Sequence, residues 1–137
     1  MQPTAGAVAH LITWTTMAYR DNSLKADGFD NLFCAGHKSG PQVCLTSAIV
    51  TGDLAGYNAV RCGLGQSSLE LPKTLMAGAF IDYVGQKMRD EEGLKRGYGL
   101  IEPEILMDLK VYREEKDEII KEVAKTGLKG IYQSRLC

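Results

Sequence analysis

The residues able to do chemistry gather between Gly28 and Arg61, in the string GFDNLFCAGHKSGPQVCLTSAIVTGDLAGYNAVR. At its centre Gly36-His37-Lys38-Ser39-Gly40-Pro41 forms a glycine-rich turn just ahead of a helix, an arrangement that offers backbone N–H groups to an anion and gives a cofactor somewhere to lie. His37 and Lys38 sharpen this. A cation at a helix N-terminus opposes the helix dipole, so the pair either faces an anion or points into water. The four cysteines, Cys34, Cys44, Cys62 and Cys137, make no CxxC pair and no spacing for zinc or an iron-sulfur cluster, so no metal is expected and buried thiols are. His10 has no Ser, Cys or carboxylate placed with it by any motif and reads as a strand histidine.

Positioning such a turn requires an element on each side. Leu32 to Ala35 is apolar and bounded by Asn31 and Gly36, as a short buried strand is. After the turn a helix is expected from about Gln42 to Arg61, with Ala48, Gly52, Ala55, Gly56 and Ala59 on or near one face. Each interior glycine costs a helix about 1 kcal/mol relative to alanine, so close approach is the expected benefit. A neighbouring helix, a sheet, a flat ligand or plain tight packing all satisfy it.

NLFCAG, the glycine at Gly40 and AIVTGDLAGYNAVR together resemble the carboxy-terminal FAD-binding segment of flavoproteins related to glucose-inhibited division protein A and to the folate-dependent tRNA uridine methyltransferases. RDNSLKADGFDN before it, LPKTLMAGAFIDYV after it and Thr126 to Gly130 extend the likeness over most of the chain. The resemblance implies FAD as cofactor, with Ala35, Gly36, His37, Lys38, Ser39 and Gly40 near the flavin or its ribityl-phosphate arm. It implies a cytoplasmic enzyme whose substrate chemistry belongs to the flavin and to residues elsewhere. His37 and Ser47 stand where relatives often carry glutamate, and Cys44 replaces a small residue.

Flavoproteins of this kind hold the adenosine half on an amino-terminal unit with a GxGxxG fingerprint. Gly63-Leu64-Gly65 and Gly97-Tyr98-Gly99 do not complete it. The chain is therefore expected to be the tail of a larger enzyme, a fragment or one subunit of a split protein, partnered by an amino-terminal FAD-binding domain. The competing class is a non-catalytic assembly or protein-interaction module that kept the fold without flavin.

The expected fold class is α+β: short strands of an incomplete FAD-binding domain over residues 1–62, then a helical tail over 63–137. Charge supports the division. Residues 1–60 carry 7 charged side chains and 61–137 carry the remaining 26 of 33, so the first part reads as interior and the second as solvated helices. Met1 to Tyr19 carries no formal charge, yet Pro3, Gly6, His10 and four threonines interrupt it, so no membrane span is expected. Its alternation predicts a strand from about Val8 to Tyr19. Too few other strands follow to complete a sheet.

In the tail, Pro72 suits a first helical turn, and Leu75, Met76, Ala79, Phe80, Tyr83 and Val84 form an inward stripe over Thr74 to Met88. A short helix is expected at Pro103, with Ile105, Leu106 and Leu109 inward. A last helix, Lys116 to Thr126, turns Ile119, Ile120, Val123 and Ala124 inward and ends at Gly127 in a left-handed cap, with Leu128 folded back onto Val123. Lys121, Lys125 and Lys129 recur at about one helical turn, with Arg135 beyond. Five interleaved carboxylates between Glu114 and Glu122 cancel most of their field, so tRNA contact by this chain alone is not expected.

Overall fold

A computed structural model of the chain describes residues 18–39, 45–91, 107–134 and 136. They form three helices, α1 (Leu45–Gly63), α2 (Met76–Lys87) and α3 (Lys116–Lys125), with short 3-10 turns at Gly36–Ser39 and Ile131–Gln133. The expected strand from Val8 lies outside the described residues up to position 17, as do Gly40, Gln42 to Cys44 and Pro103 to Leu106.

The described part is mostly helical. Extended pairing within it reduces to two isolated antiparallel bridges, Arg20 with Ala26 and Lys25 with Phe33. Leu32 to Cys34, expected as a strand, thus contributes a single rung. The cause is local: one carboxylate oxygen of Asp21 accepts hydrogen bonds from Ser23 N (2.9 Å), Ser23 Oγ (2.6 Å) and Lys25 N (3.0 Å), winding the chain into a tight turn instead of an extended arm. Leu24 takes a left-handed φ of 70° there.

That conformation drives the Leu24 side chain into the core, where it meets Leu54 and Ala55 of α1 and Ile81 of α2, with Phe33, Leu69 and Leu71 packed around them. At about 100° per residue, Thr51, Leu54, Ala55 and Asn58 share one face of α1, and all four are buried. The small-residue face lies elsewhere. Of its five expected members only Ala55 is buried; Gly56 and Ala59 are exposed, and a Cβ added at Gly52 or Gly56 would meet nothing within 4 Å. Ile49 and Val60, both more than half exposed, continue this open face. The glycines therefore allow no close approach within the described chain. The four residues that fill the core side of α1 are the larger Thr, Leu and Asn together with one alanine, because a leucine fills an interior that glycine leaves empty.

Close approach occurs instead on α2. A Cβ at Gly78 would stand 2.3 Å from the Pro72 carbonyl oxygen and 2.5 Å from that of Leu71, so only glycine lets the connecting segment cross the helix here. α2 starts later than expected, at Met76, with Pro72 in the preceding turn and accepting from Leu75 N at 3.0 Å. Ala79, Phe80 and Val84 of the expected stripe are buried, joined by Ile81 and Met88, whereas Met76 is half exposed.

The last helix matches its expected start and ends one residue early, with Gly127 in the left-handed region at φ 70°. Its apolar face departs from expectation. Ile119 and Ile120 are nearly half exposed and no residue of α3 is buried. Only a shallow pocket of about 90 Å³ forms at Ile119 and Glu122, against Thr74, Leu75, Met76, Val111 and Arg113. Periodicity shows which side of a helix is apolar; a covering partner is a separate requirement. No described helix is long and apolar enough to cross a membrane.

Candidate functional site

The Gly36–Ser39 turn is held from both sides by residues to which the sequence reading gave no role. Gly36 adopts φ 58°, a left-handed conformation suited to glycine. Its N–H donates to Thr51 Oγ1 of α1 at 2.9 Å, and the Thr51 hydroxyl donates in turn to the Ser47 carbonyl at 2.7 Å. Ser39, fully buried, donates from Oγ to the Gly36 carbonyl at 2.8 Å, closing the turn on itself. The Ser39 carbonyl accepts from Arg20 Nε at 2.6 Å.

Arg20 is 1% exposed. Its other nitrogens donate to the carbonyls of Asp21 and Ile81, both at 3.0 Å, so one guanidinium joins the Asp21 turn, the glycine turn and the middle of α2. Burial, the largest influence, pulls its pKa down to about 10, partly opposed by Cys34 and Asp21. Arg89 closes the outer side: one nitrogen donates to the Arg20 carbonyl at 2.9 Å and to Asp27 at 2.7 Å, and the guanidinium stacks over Tyr19.

Of the expected site residues, Ala35 is exposed, Gly36 half-buried and Ser39 buried; His37 and Lys38 lie in the turn by their backbone, and Gly40 is outside the described residues. Among the described residues nothing lies within 4 Å of a Cβ built at Gly36. No carboxylate occurs between Ala35 and Gly40. The shallow pocket by α3 shares no residue with the turn and, at about 90 Å³, is below the few hundred Å³ of ordinary small-molecule sites.

Cys34 is buried directly before the turn, and Cys62 donates its S–H to the Asp30 carbonyl at 3.3 Å; neither is in a disulfide. Among the described residues no group of three His, Cys, Asp or Glu side chains could hold a metal.

Thr51 and Arg20 were missed because their partners, Gly36 and Ser39, lie 15 and 19 positions away. A signal existed for Arg20, the first charge after nineteen uncharged residues. A lone charge bordering an interior segment is a candidate for burial with satisfied donors.

No protein-family model and no solved structure matches the chain. Sequence relatives do. It is 37% identical over 73 residues to the methylenetetrahydrofolate-tRNA-(uracil-5-)-methyltransferase TrmFO of Caldicellulosiruptor bescii, a match covering 53% of this chain and 16% of that protein. To the TrmFO of Aquifex aeolicus it is 29% identical over 107 residues, covering 78% and 24%. To that of Prochlorococcus marinus the figures are 34% over 90 residues, 61% and 19%. The chain thus spans less than a quarter of the length of these curated relatives. Its turn and α1 carry the string that suggested this kinship, and the chain is accordingly a sequence relative of the TrmFO group of folate-dependent tRNA uridine methyltransferases.

Proposed function

We propose that the chain is the FAD-contacting carboxy-terminal part of a cytoplasmic flavin-dependent oxidoreductase of the tRNA-modifying kind, working with a GxGxxG domain supplied in cis or in trans. The observation that carries this reading is the anchored turn: Gly36 to Ser39 is fixed by Thr51 and Arg20, with nothing among the described residues within 4 Å of a Cβ built at Gly36. In this reading Ala35, Gly36, His37, Lys38, Ser39 and Gly40 meet the cofactor. Bound flavin would supply hydride or one-electron chemistry. The chain's own residues bind and orient: α1, through Thr51, holds the turn that meets the cofactor. Residues 1–62 are the closing piece of an α+β FAD-binding domain, and 63–137 are its helical tail.

The partner surface follows from α1. Ile49, Gly52, Gly56 and Val60 lie within a narrow arc of the helix, opposite the buried face, and are left uncovered by the described chain. Glycines that give up helix propensity with no packing return inside the chain fit a surface approached by another body. The relatives are more than four times longer than the matched segment, and an amino-terminal FAD-binding domain is the body we assign to this face.

FAD titration of the chain, alone and with such a domain added, tests the reading. Weak binding alone and recovered binding together are expected. Tight stoichiometric binding by the chain alone would overturn the missing-half argument. Absence of flavin even with the domain docked would favour the non-catalytic interaction module, which the same open face would serve.

A further inference from the structure

We infer that Arg20 is the positioning residue of the glycine turn, a buried strut whose guanidinium sets the backbone conformation that Gly36 to Ser39 presents to a ligand. Three observations converge on it. The shortest of its three hydrogen bonds, 2.6 Å, goes from Nε to the last carbonyl of the turn, and Nη2 of the same planar group donates to the Ile81 carbonyl in the middle of α2 at 3.0 Å. The turn is thereby referenced to a helix 42 positions further along the sequence, not only to its neighbour α1. Among the described residues Arg20 makes no ion pair with a carboxylate within 4 Å; its three hydrogen-bond partners are backbone carbonyls. A core that needed only volume would be as stable with an apolar residue, because a buried charge carries a desolvation cost. A planar fork that reaches three carbonyls at fixed angles is what lysine and methionine lack.

Drawing the strut's end from the turn also withdraws an acceptor. With the Ser39 carbonyl tied to Arg20 and the Gly36 carbonyl tied to Ser39 Oγ, two oxygens that would repel an anion are held inward. The functional weight of this inference rests on the reading of the turn as a cofactor contact.

The test is amide hydrogen exchange on the full chain, comparing wild type with Arg20→Lys. The expected result is exchange about tenfold or more faster at Gly36 to Ser39 than in wild type, with α1 amides changed much less. Equal turn exchange in the two proteins, or a uniform acceleration across all helices, would overturn the strut. Should Arg20→Lys fail to fold, the wild type alone decides. Its Arg20 Nε–H should give a slowly exchanging NMR resonance, and exchange as fast as that of exposed Arg113 would overturn the inference. FAD added in excess to the wild-type sample together with an amino-terminal FAD-binding domain separates the two claims. Shifts confined to the turn amides support the cofactor reading; their absence counts against that reading and leaves the strut to be judged on exchange.

Discussion

Asn58 and Leu69 grip each other through both ends of one amide: Asn58 Nδ2 donates to the Leu69 carbonyl at 2.8 Å while Leu69 N donates to Asn58 Oδ1 at 2.7 Å. The side chain imitates a rung of backbone pairing and fastens the Gly65 to Leu71 connection along α1. Nδ2 also donates to the Ser23 carbonyl at 2.9 Å, so the fully buried asparagine unites three segments.

Asn58→Ala removes three hydrogen bonds and strands one buried and two partly buried backbone groups, at a cost of about 2 kcal/mol or more. Asn58→Asp keeps the acceptor for Leu69 N but points a carboxylate at two carbonyls, and should be worse at neutral pH. Urea unfolding of the two variants checks both magnitude and order.

Two glycine-to-alanine exchanges should act in opposite directions. Gly78→Ala forces a methyl into the Pro72 carbonyl, 2.3 Å away, and should destabilise by about 2 kcal/mol or more. Gly56→Ala meets open space and should stabilise the isolated chain by up to about 1 kcal/mol through helix propensity. Thermal midpoints moving the same way would refute the assignment of tight and open faces.

The contrast shows what the sequence made readable. Helix positions came from apolar spacing and end signals, and the bounds of all three helices fall within three residues of those expected. The glycine string located the turn as well. What spacing did not carry was the occupant of each face: Gly52 and Gly56 suggested tight packing, yet the glycine required by a neighbour among the described residues is Gly78, crossed by the carbonyls of Leu71 and Pro72 in the connection just before its helix. Ile119 and Ile120 make the same point, since an apolar stripe does not reveal whether the chain itself supplies a cover. The polar anchors were least legible, because Arg20 reaches Ser39 and Ile81 through a topology that no local window contains.

Acid should weaken the contact between the Asp21 turn and α2. Burial pushes the Asp82 carboxyl up, but hydrogen bonds from Lys73 and Asn22 outweigh it and hold the pKa below its ordinary 3.8. A depressed folded pKa contributes stability that is present above 3.8 and is lost as pH falls through the lower folded value. The stability difference between wild type and Asp82→Asn should thus be constant from pH 7 to about 5 and shrink below pH 4, with a size under about 1 kcal/mol because Lys73 is well exposed. Unfolding curves at stepped pH measure it.

RNA affinity of the isolated chain should be undetectable at physiological ionic strength. Lys125 is paired with Glu122 at 2.5 Å, and the Lys125 hydrogen bond with neighbouring charge holds Glu122 ionised below the usual carboxylate range. One of the three lysines of the stripe is thereby neutralised at its own helix. A gel-shift titration checks this; a micromolar tRNA complex that weakens in Lys121→Glu/Lys125→Glu would reverse it.

The reach of Arg20 also sets an order of events during synthesis. Its bond to Ile81 spans 61 positions, and the bond from Arg89 back to its carbonyl spans 69. A chain emerging amino terminus first offers the glycine turn to the cell long before α2 exists to brace it. The turn is consequently translated before the helix that braces it and is set only after that helix has formed.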